Sequence, residues 1–328
     1  MRIAIVGAGA VGGTMAALLG RAGFRPTVIA RGARQKMLEE GGLSFRSTQG
    51  DFATSVVVAE AESAGVQDIL ILAVKGQSLP QALRDAIPMI GPDTIVIPAV
   101  NGVPYWHFLQ AGGPFDGRSV EAVDPGGALQ ALLPATQIGG CVLYLTAALD
   151  MQGVVVLSGA PRIVLGGLSP AVGAPLKAFA QALTQSGIST SVSTDIRSEV
   201  WAKLALNLAT NPFSVVTGAT LHDLFHRPDL VPTVEAILVE AVALARGIGV
   251  EPALDIDTMM AIGRRAGQVE TSMLQDHKRG VALELAPIAD AALELASWIN
   301  HRMPVTAEVV TAVRTHSGQA GAQAPEAI

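Results

Sequence analysis

Glu199, Lys203, Asn207 and Asn211 follow one another at intervals of four, the spacing that stacks side chains along one slowly drifting face of a helix. A lysine set between a carboxylate and two amides could do specific chemistry. Its ammonium group stabilises negative charge growing on a substrate oxygen and can hand that oxygen a proton. The amides could donate hydrogen bonds to a polar substrate. Reduction of a carbonyl by a hydride donor needs little more. The intervening Val200, Trp201, Leu204, Leu206 and Leu208 are apolar, whereas a surface helix would carry a broader charged face. The plainer alternative is a routine Glu199–Lys203 pair beside two capping asparagines. Asn211-Pro212 is expected to end or kink the helix.

The hydride donor is suggested by the N-terminus. Gly7-Ala8-Gly9-Ala10-Val11-Gly12 follows a short apolar run and opens a helical stretch. In such a turn the first glycine permits the tight bend, the second lets backbone approach a pyrophosphate, and the third lets helix and strand pack closely. The alternative is a glycine-rich turn with no ligand. The next strand ends in Thr27-Val28-Ile29-Ala30-Arg31-Gly32-Ala33-Arg34, without the acid that would hold the ribose hydroxyl of NAD. Arg31 and Arg34 could instead grip a 2′-phosphate, so the expected cofactor is NADPH. Otherwise both arginines are a solvated helix start. Lys75 and Asn101-Gly102 fall at the carboxyl ends of later strands, the edge where open parallel sheets bind ligands.

These groups need a scaffold. Arg2–Val6, a helix over Ala10–Leu19 and Pro26–Ala30 predict a β-α-β opening. Leu43–Arg46 and Phe52–Val58 read as a hairpin. Asp68–Val74 and Thr94–Val100 are apolar runs suited to a buried parallel sheet, with helical spacing over Gln77–Met89 between them. Gln137–Leu145, Val154–Leu157, Arg162–Leu165 and Ile188–Ser193 read as strands, and Ala174–Ser186 as a helix. Beyond Asp195 the pattern is helical, over 196–217, 230–247, 255–275, 281–299 and 304–314. The expected architecture is α/β: a Rossmann-type dinucleotide-binding domain over 1–194, then an all-helical domain over 195–315. A frayed tail is expected over 316–328.

The chain has 328 residues, half of them hydrophobic and 15% charged, with a net charge of −6. That charge argues against a nucleic-acid surface and makes local basic groups more informative. The mean hydropathy of +0.43 raises the question of a membrane. The longest uncharged stretches, Thr94–Phe115 and Pro125–Leu149, are broken by Pro, Gly and polar residues, so no span is expected. Arg2 ahead of an apolar run mimics a secretion signal, but the glycines there have the better explanation above. Cys141 is the single cysteine, which rules out an intrachain disulfide and fits a reducing cytoplasm.

At these positions the chain resembles the ketopantoate reductase family over nearly its whole length. The likeness runs through Gly7-x-Gly9-x-x-Gly12, Val74-Lys75 and Asn101-Gly102 to Arg197-Ser198-Glu199-Val200-Trp201-x-Lys203-x-x-x-Asn207-x-x-x-Asn211-Pro212. It continues at Ser272-Met273-Leu274-Gln275-Asp276 and Leu283-Glu284-Leu285. The resemblance implies NADPH-dependent reduction of a 2-keto acid, foremost 2-dehydropantoate (ketopantoate), in a cleft between the domains. It implies Lys203 as general acid and Glu284 as organiser of substrate and lysine. Asn207 and Asn211 would contact polar groups of the substrate, and Ser272 its carboxylate. Lys75 and Asn101 would line the cofactor and substrate side, with Arg31 on the 2′-phosphate.

The sequence also departs from the family. Ala286, Ala289 and Asp290 stand where an Asp and an Asn-Gly are usual, Val100 precedes Asn101 where Gln or His is common, and Ser78 replaces a Gln. These changes bear on the substrate more than the reaction and leave open a paralogue acting on another 2-keto acid. An NADPH-binding redox sensor without turnover, or oxidation of a β-hydroxy acid on the same plan, are further alternatives. His222-Asp223-Leu224-Phe225-His226 is a near miss to a zinc helix, with Asp for Glu and no third ligand apparent, so no metal is expected. His277 reads as part of an exposed turn. The apolar helical half could support a homodimer.

Overall fold

A computed structural model describes residues 1–321, with side-chain surroundings through 316. The chain forms two compact units. One comprises Met1–Ser119 and Gly126–Ile196; the other comprises Val120–Pro125 and the described chain from Arg197 on.

The first unit opens with β1 (Ile3–Val6), α1 (Ala10–Arg21), β2 (Thr27–Ile29), α2 (Gly32–Gly41), β3 (Leu43–Ser47), β4 (Gly50–Thr54) and β5 (Val57–Val58). It continues through α3 (Ala61–Ala64), β6 (Ile69–Leu72), α4 (Leu79–Ala86), β7 (Ile95–Pro98), β8 (Gly139–Leu149), β9 (Val155–Gly167), α5 (Gly173–Gln185) and β10 (Ser189–Ser193). The strands β5-β2-β1-β6-β7 make a parallel sheet in that order. Every residue of β1, β6 and β7 is buried, as continuous apolar runs in a sheet covered on both faces should be. Val6 is level with Ile29 on one side and Leu72 on the other. Sequence order reverses about β1, and such a switch point leaves a crevice at the carboxyl ends of the strands. This is the Rossmann-type arrangement expected.

A second sheet, β10-β9-β3-β4 with β8 also on β9, shares a core with the first. Met15, Leu18 and Leu19 of α1 pack there with Ile5, Phe45, Leu157 and Leu165. The two strands expected at Val154–Leu157 and Arg162–Leu165 are one, because β8 runs antiparallel beside the whole of β9 from Leu149↔Val155 to Gly139↔Gly167. The interruption survives as a bulge between Thr146↔Ser158 and Tyr144↔Arg162, where Gly159 takes φ +75°.

The second unit is helical: α6 (Ile196–Thr217), α7 (Leu221–His226), α8 (Val231–Gly247), α9 (Ile256–Arg264), α10 (Ser272–Lys278), α11 (Ala291–Trp298) and α12 (Pro304–Gly321). The segment Val120–Pro125 is pinned here by the Glu294 carboxylate, which accepts from the N–H groups of Glu121 and Ala122, both at 2.9 Å. The single helix expected over 255–275 is two. Between them the carbonyls of Val269 and Gly267 accept from the N–H groups of Leu221 and His222, which the helix would have used internally. Thr271 then restarts the helix by accepting from Leu274 N–H. The helix expected over 281–299 begins late, after Gly280 at φ +67°, with a π-helical turn over Ala286–Asp290. Helix α12 runs on past the expected end at 314, and the rest of the expected tail, 322–328, lies outside the described residues.

Candidate active site

Each glycine of the N-terminal turn has its own reason. Gly7 donates its N–H to Ile29 O at 2.9 Å and takes φ +100°; a Cβ there would fall 2.5 Å from Ala73 O. A Cβ on Gly12 would fall 2.0 Å from Gly7 O. Around a Cβ on Gly9 nothing lies within 4 Å, so this position opens outward while the other two are closed by packing. Gly9 caps α1 without a side-chain bond, and no acid occupies the first turn. Gly13 N–H to Gly9 O is 2.8 Å, so the N–H groups of Ala10, Val11 and Gly12 precede the first internal bond and are available to an anion. Ala8 is buried and Ala10 and Val11 are half-buried. The turn therefore fits a dinucleotide pyrophosphate. Sequence reasoning missed Gly13, whose Cβ would stand 2.6 Å from Val155 of the second sheet. Its only signal was the doubled glycine.

The two arginines after β2 part company. Arg34 is half-buried and turned inward, donating from Nε to Ala8 O at 3.0 Å and from Nη1 to Gly153 O at 2.6 Å. Burial lowers its pKa below the ordinary arginine value. Arg34 thus braces the glycine turn, which corrects the expectation that it would share a phosphate with Arg31. Arg31 caps α2, has 71% of its side chain exposed and is ion-paired with Asp85 of α4. That pairing, helped by Gln81, holds the Asp85 carboxyl below its ordinary value.

Lys75 starts a short 3-10 turn after β6. Ala73 N–H bonds Val6 O at 2.8 Å and Ala99 N–H bonds Leu72 O at 2.9 Å, so β1, β6 and β7 deliver Gly7, Lys75 and Asn101 past the same edge of the sheet. Lys75 and Asn101 are both half-buried.

In the second unit, α6 bears out the amphipathic reading with one change. Trp201, Ala202, Ala205, Leu208 and Ala209 are fully buried, while Glu199, Lys203 and Asn207 are half-buried and Asn211 is 5% exposed. The polar line therefore sinks into the protein as it descends the helix. Pro212 does not end the helix, which continues to Thr217. An internal proline costs about 3 kcal/mol, and the apolar burial around it offsets that loss. Ser272, at the first position of α10, is exposed. Glu284 is 9% exposed just ahead of the π-helical turn. Ala289 is fully buried, and Asp290 is paired with Arg314.

Two hydroxyls had no sequence signal at all. Ser214 and Thr271 meet at 2.6 Å from 57 residues apart, joining the Asn211 end of α6 to the start of α10. His222 and His226 stack at 4.0 Å between ring centroids, and His226 Nδ1 lies 2.8 Å from the His222 carbonyl. Among the described residues no group of three or more His, Cys, Asp or Glu could hold a metal ion, and no helix is long and apolar enough to cross a membrane.

Residues 3–170 match the family profile "Ketopantoate reductase PanE/ApbA", and residues 195–317 match its C-terminal counterpart. The 2-dehydropantoate 2-reductase of Mesorhizobium japonicum is 33% identical over 316 residues, covering 96% of this chain and 97% of the relative. A candidate ketopantoate reductase from Ralstonia solanacearum superposes with a TM-score of 0.90 at 33% identity, covering 98% of each chain. A D-mandelate dehydrogenase solved with NADH and anilino(oxo)acetate shares the fold, with a TM-score of 0.84 at 22% identity over 98% of this chain and 100% of that one.

Proposed function

The chain belongs to the ketopantoate reductase family, and on that premise we propose that it reduces ketopantoate to pantoate with NADPH, using Lys203 as the proton donor. The class is an oxidoreductase that reduces a 2-keto acid with a pyridine nucleotide. The observation that carries the assignment of roles is the half-buried line of Glu199, Lys203 and Asn207, leading to buried Asn211, on a helix whose Trp201, Ala202, Ala205, Leu208 and Ala209 are fully buried.

When bound, the dihydronicotinamide supplies a hydride to the substrate's carbonyl carbon, and the carbonyl π electrons move to oxygen. Lys203 Nζ holds the proton that this oxygen takes, and its charge favours the oxyanion before transfer. Glu284 orients the ammonium group. Asn207 and Asn211 donate amide N–H bonds to the polar groups of the substrate, and Ser272 donates to its carboxylate. On the cofactor side, the backbone of Gly7, Ala8, Gly9, Ala10, Val11 and Gly12 receives the pyrophosphate, and Arg31 the 2′-phosphate. Lys75 and Asn101 flank the nicotinamide end. The single free cysteine, Cys141, supports a cytoplasmic setting, and assembly as a homodimer belongs to the same reading.

One observation favours a second substrate. After Glu284 the chain carries Ala286 and Ala289 where the resemblance leads one to expect polar groups, with Ala289 sealed in the core and Asp290 tied to Arg314. A paralogue acting on a different 2-keto acid would account for this. Initial rates of NADPH and NADH oxidation with ketopantoate, 2-ketoisovalerate, pyruvate and phenylglyoxylate separate the readings. The proposal expects the highest kcat/KM with ketopantoate and NADPH. Preference for another acid would assign the paralogue, and NADPH binding without turnover on any acid would make the chain a sensor.

A further inference from the structure

The Ser214–Thr271 contact has a fixed direction. Each hydroxyl has one proton to give. Ser214 donates its proton to the Asn211 carbonyl at 2.7 Å, so across the 2.6 Å contact Ser214 must accept and Thr271 must donate. Thr271 Oγ1 in turn accepts from Leu274 N–H at 3.1 Å. The result is a one-way chain: Leu274 N–H to Thr271, Thr271 to Ser214, Ser214 to the Asn211 carbonyl. Ser214 is fully buried and Thr271 is 5% exposed, so water does not compete for these bonds.

Both ends of the chain adjoin groups assigned above to the substrate. Asn211 is itself the last acceptor, and Ser272 follows Thr271 directly. The link also sits where α6 is weakest. Pro212 has no N–H to give, and a helix is prone to bend at a proline. Ser214 restrains the Asn211 carbonyl beside that point. Without it, α6 beyond Asn211 and the start of α10 would keep their own folds but lose a buried hydrogen bond between them.

We propose that Ser214 and Thr271 are positioning residues that hold the Asn211 amide and the Ser272 hydroxyl at one separation, and so set the length of 2-keto acid the site accepts. This rests on the reading that Asn211 and Ser272 bind substrate. Neither Ser214 nor Thr271 touches the substrate in this scheme. Displacing a binding group by about 1 Å can cost about a hundredfold in rate, so a small slip between the helices is enough.

The variants Ser214→Ala, Thr271→Ser and Ser214→Ala/Thr271→Val test this, with KM and kcat for ketopantoate at saturating NADPH and the Kd of NADPH measured separately. Ser214→Ala breaks the link but leaves the cap on α10. It should raise KM about tenfold, with the Kd of NADPH unchanged. Thr271→Ser keeps the hydroxyl and should behave as the parent. The double variant replaces both buried partners with apolar groups, so neither hydroxyl is left facing an unsatisfied partner, while Thr271→Val also removes the cap on α10. Its KM should nevertheless stay as high as that of Ser214→Ala. A parent-like KM in Ser214→Ala, or in the double variant, overturns the proposal; should the single variant fail to fold, the double variant alone decides.

Asn211→Ala and Ser272→Ala are run alongside. Raised KM in these two with none in Ser214→Ala removes the positioning role alone. Unchanged KM in these two removes the substrate reading and the proposal with it.

Discussion

Arg31 and Asp85 are ion-paired between the N-cap of α2 and the last turn of α4, 54 residues apart in sequence. The Gln81 amide also donates to Asp85, at 2.7 Å. If Arg31 holds the 2′-phosphate, it must exchange the Asp85 carboxylate for the phosphate when NADPH binds. Two consequences can be measured. Arg31→Ala should weaken NADPH far more than NADH, since only the former carries the extra phosphate; equal losses would remove Arg31 from that role. Asp85→Asn should tighten NADPH by about two- to fivefold, the scale of an exposed ion pair, and leave NADH unchanged.

Lys203→Ala should lower kcat by about a hundred- to ten-thousandfold, the usual contribution of a positioned proton donor. Its affinity for NADPH, followed by the change in cofactor fluorescence on binding, should remain that of the parent. Turnover near the parent level would take Lys203 out of the chemistry.

Gly12→Ala should abolish NADPH binding, because its Cβ would fall 2.0 Å from the Gly7 carbonyl and displace the turn. Gly9→Ala meets no such obstacle in the protein. It should therefore fold with parent thermal stability and lose only cofactor affinity. Thermal melts of both variants, with and without NADPH, separate a defect of folding from a defect of binding.

Cys141 is buried in the core, which pushes its thiol from an ordinary 9.0 up to about 12. The folded protein should resist a thiol reagent at mildly alkaline pH, and the unfolded chain should react. The raised value also has a sign for stability. The contribution is fully present below about 9 and is lost as pH rises toward about 12, since only the unfolded thiol ionises in that window. Cys141→Ala should flatten that part of the stability profile.

The local parts of this protein were the legible ones. The glycine turn, the apolar strands beside it and the polar line on α6 are each set by neighbours within a few residues, and periodicity reports such neighbours directly. What stayed hidden is pairing across long separations. The single strand β9 depends on β8 running its full length, and Phe45 pairs with Val155 in a second sheet with no local signature. Arg34 read as a phosphate ligand because Gly153, its partner from 119 residues away, could not be foreseen. The same holds for Asp85 beside Arg31 and for Thr271 beside Ser214. The break between α9 and α10 belongs here too, since it is the start of α7 that takes the carbonyls of Gly267 and Val269. Of the two outcomes expected at Pro212, an end to the helix did not occur, since α6 continues to Thr217.

The most direct test of the central claim is to follow the hydrogen. The protein is incubated with ketopantoate and NADPH deuterated at both C4 positions, and the product is analysed by mass spectrometry. Pantoate carrying one deuterium at C2, formed together with NADP⁺, is the result expected of a reductase acting on this acid. Pantoate without deuterium, or no pantoate while the protein binds NADPH, would contradict it.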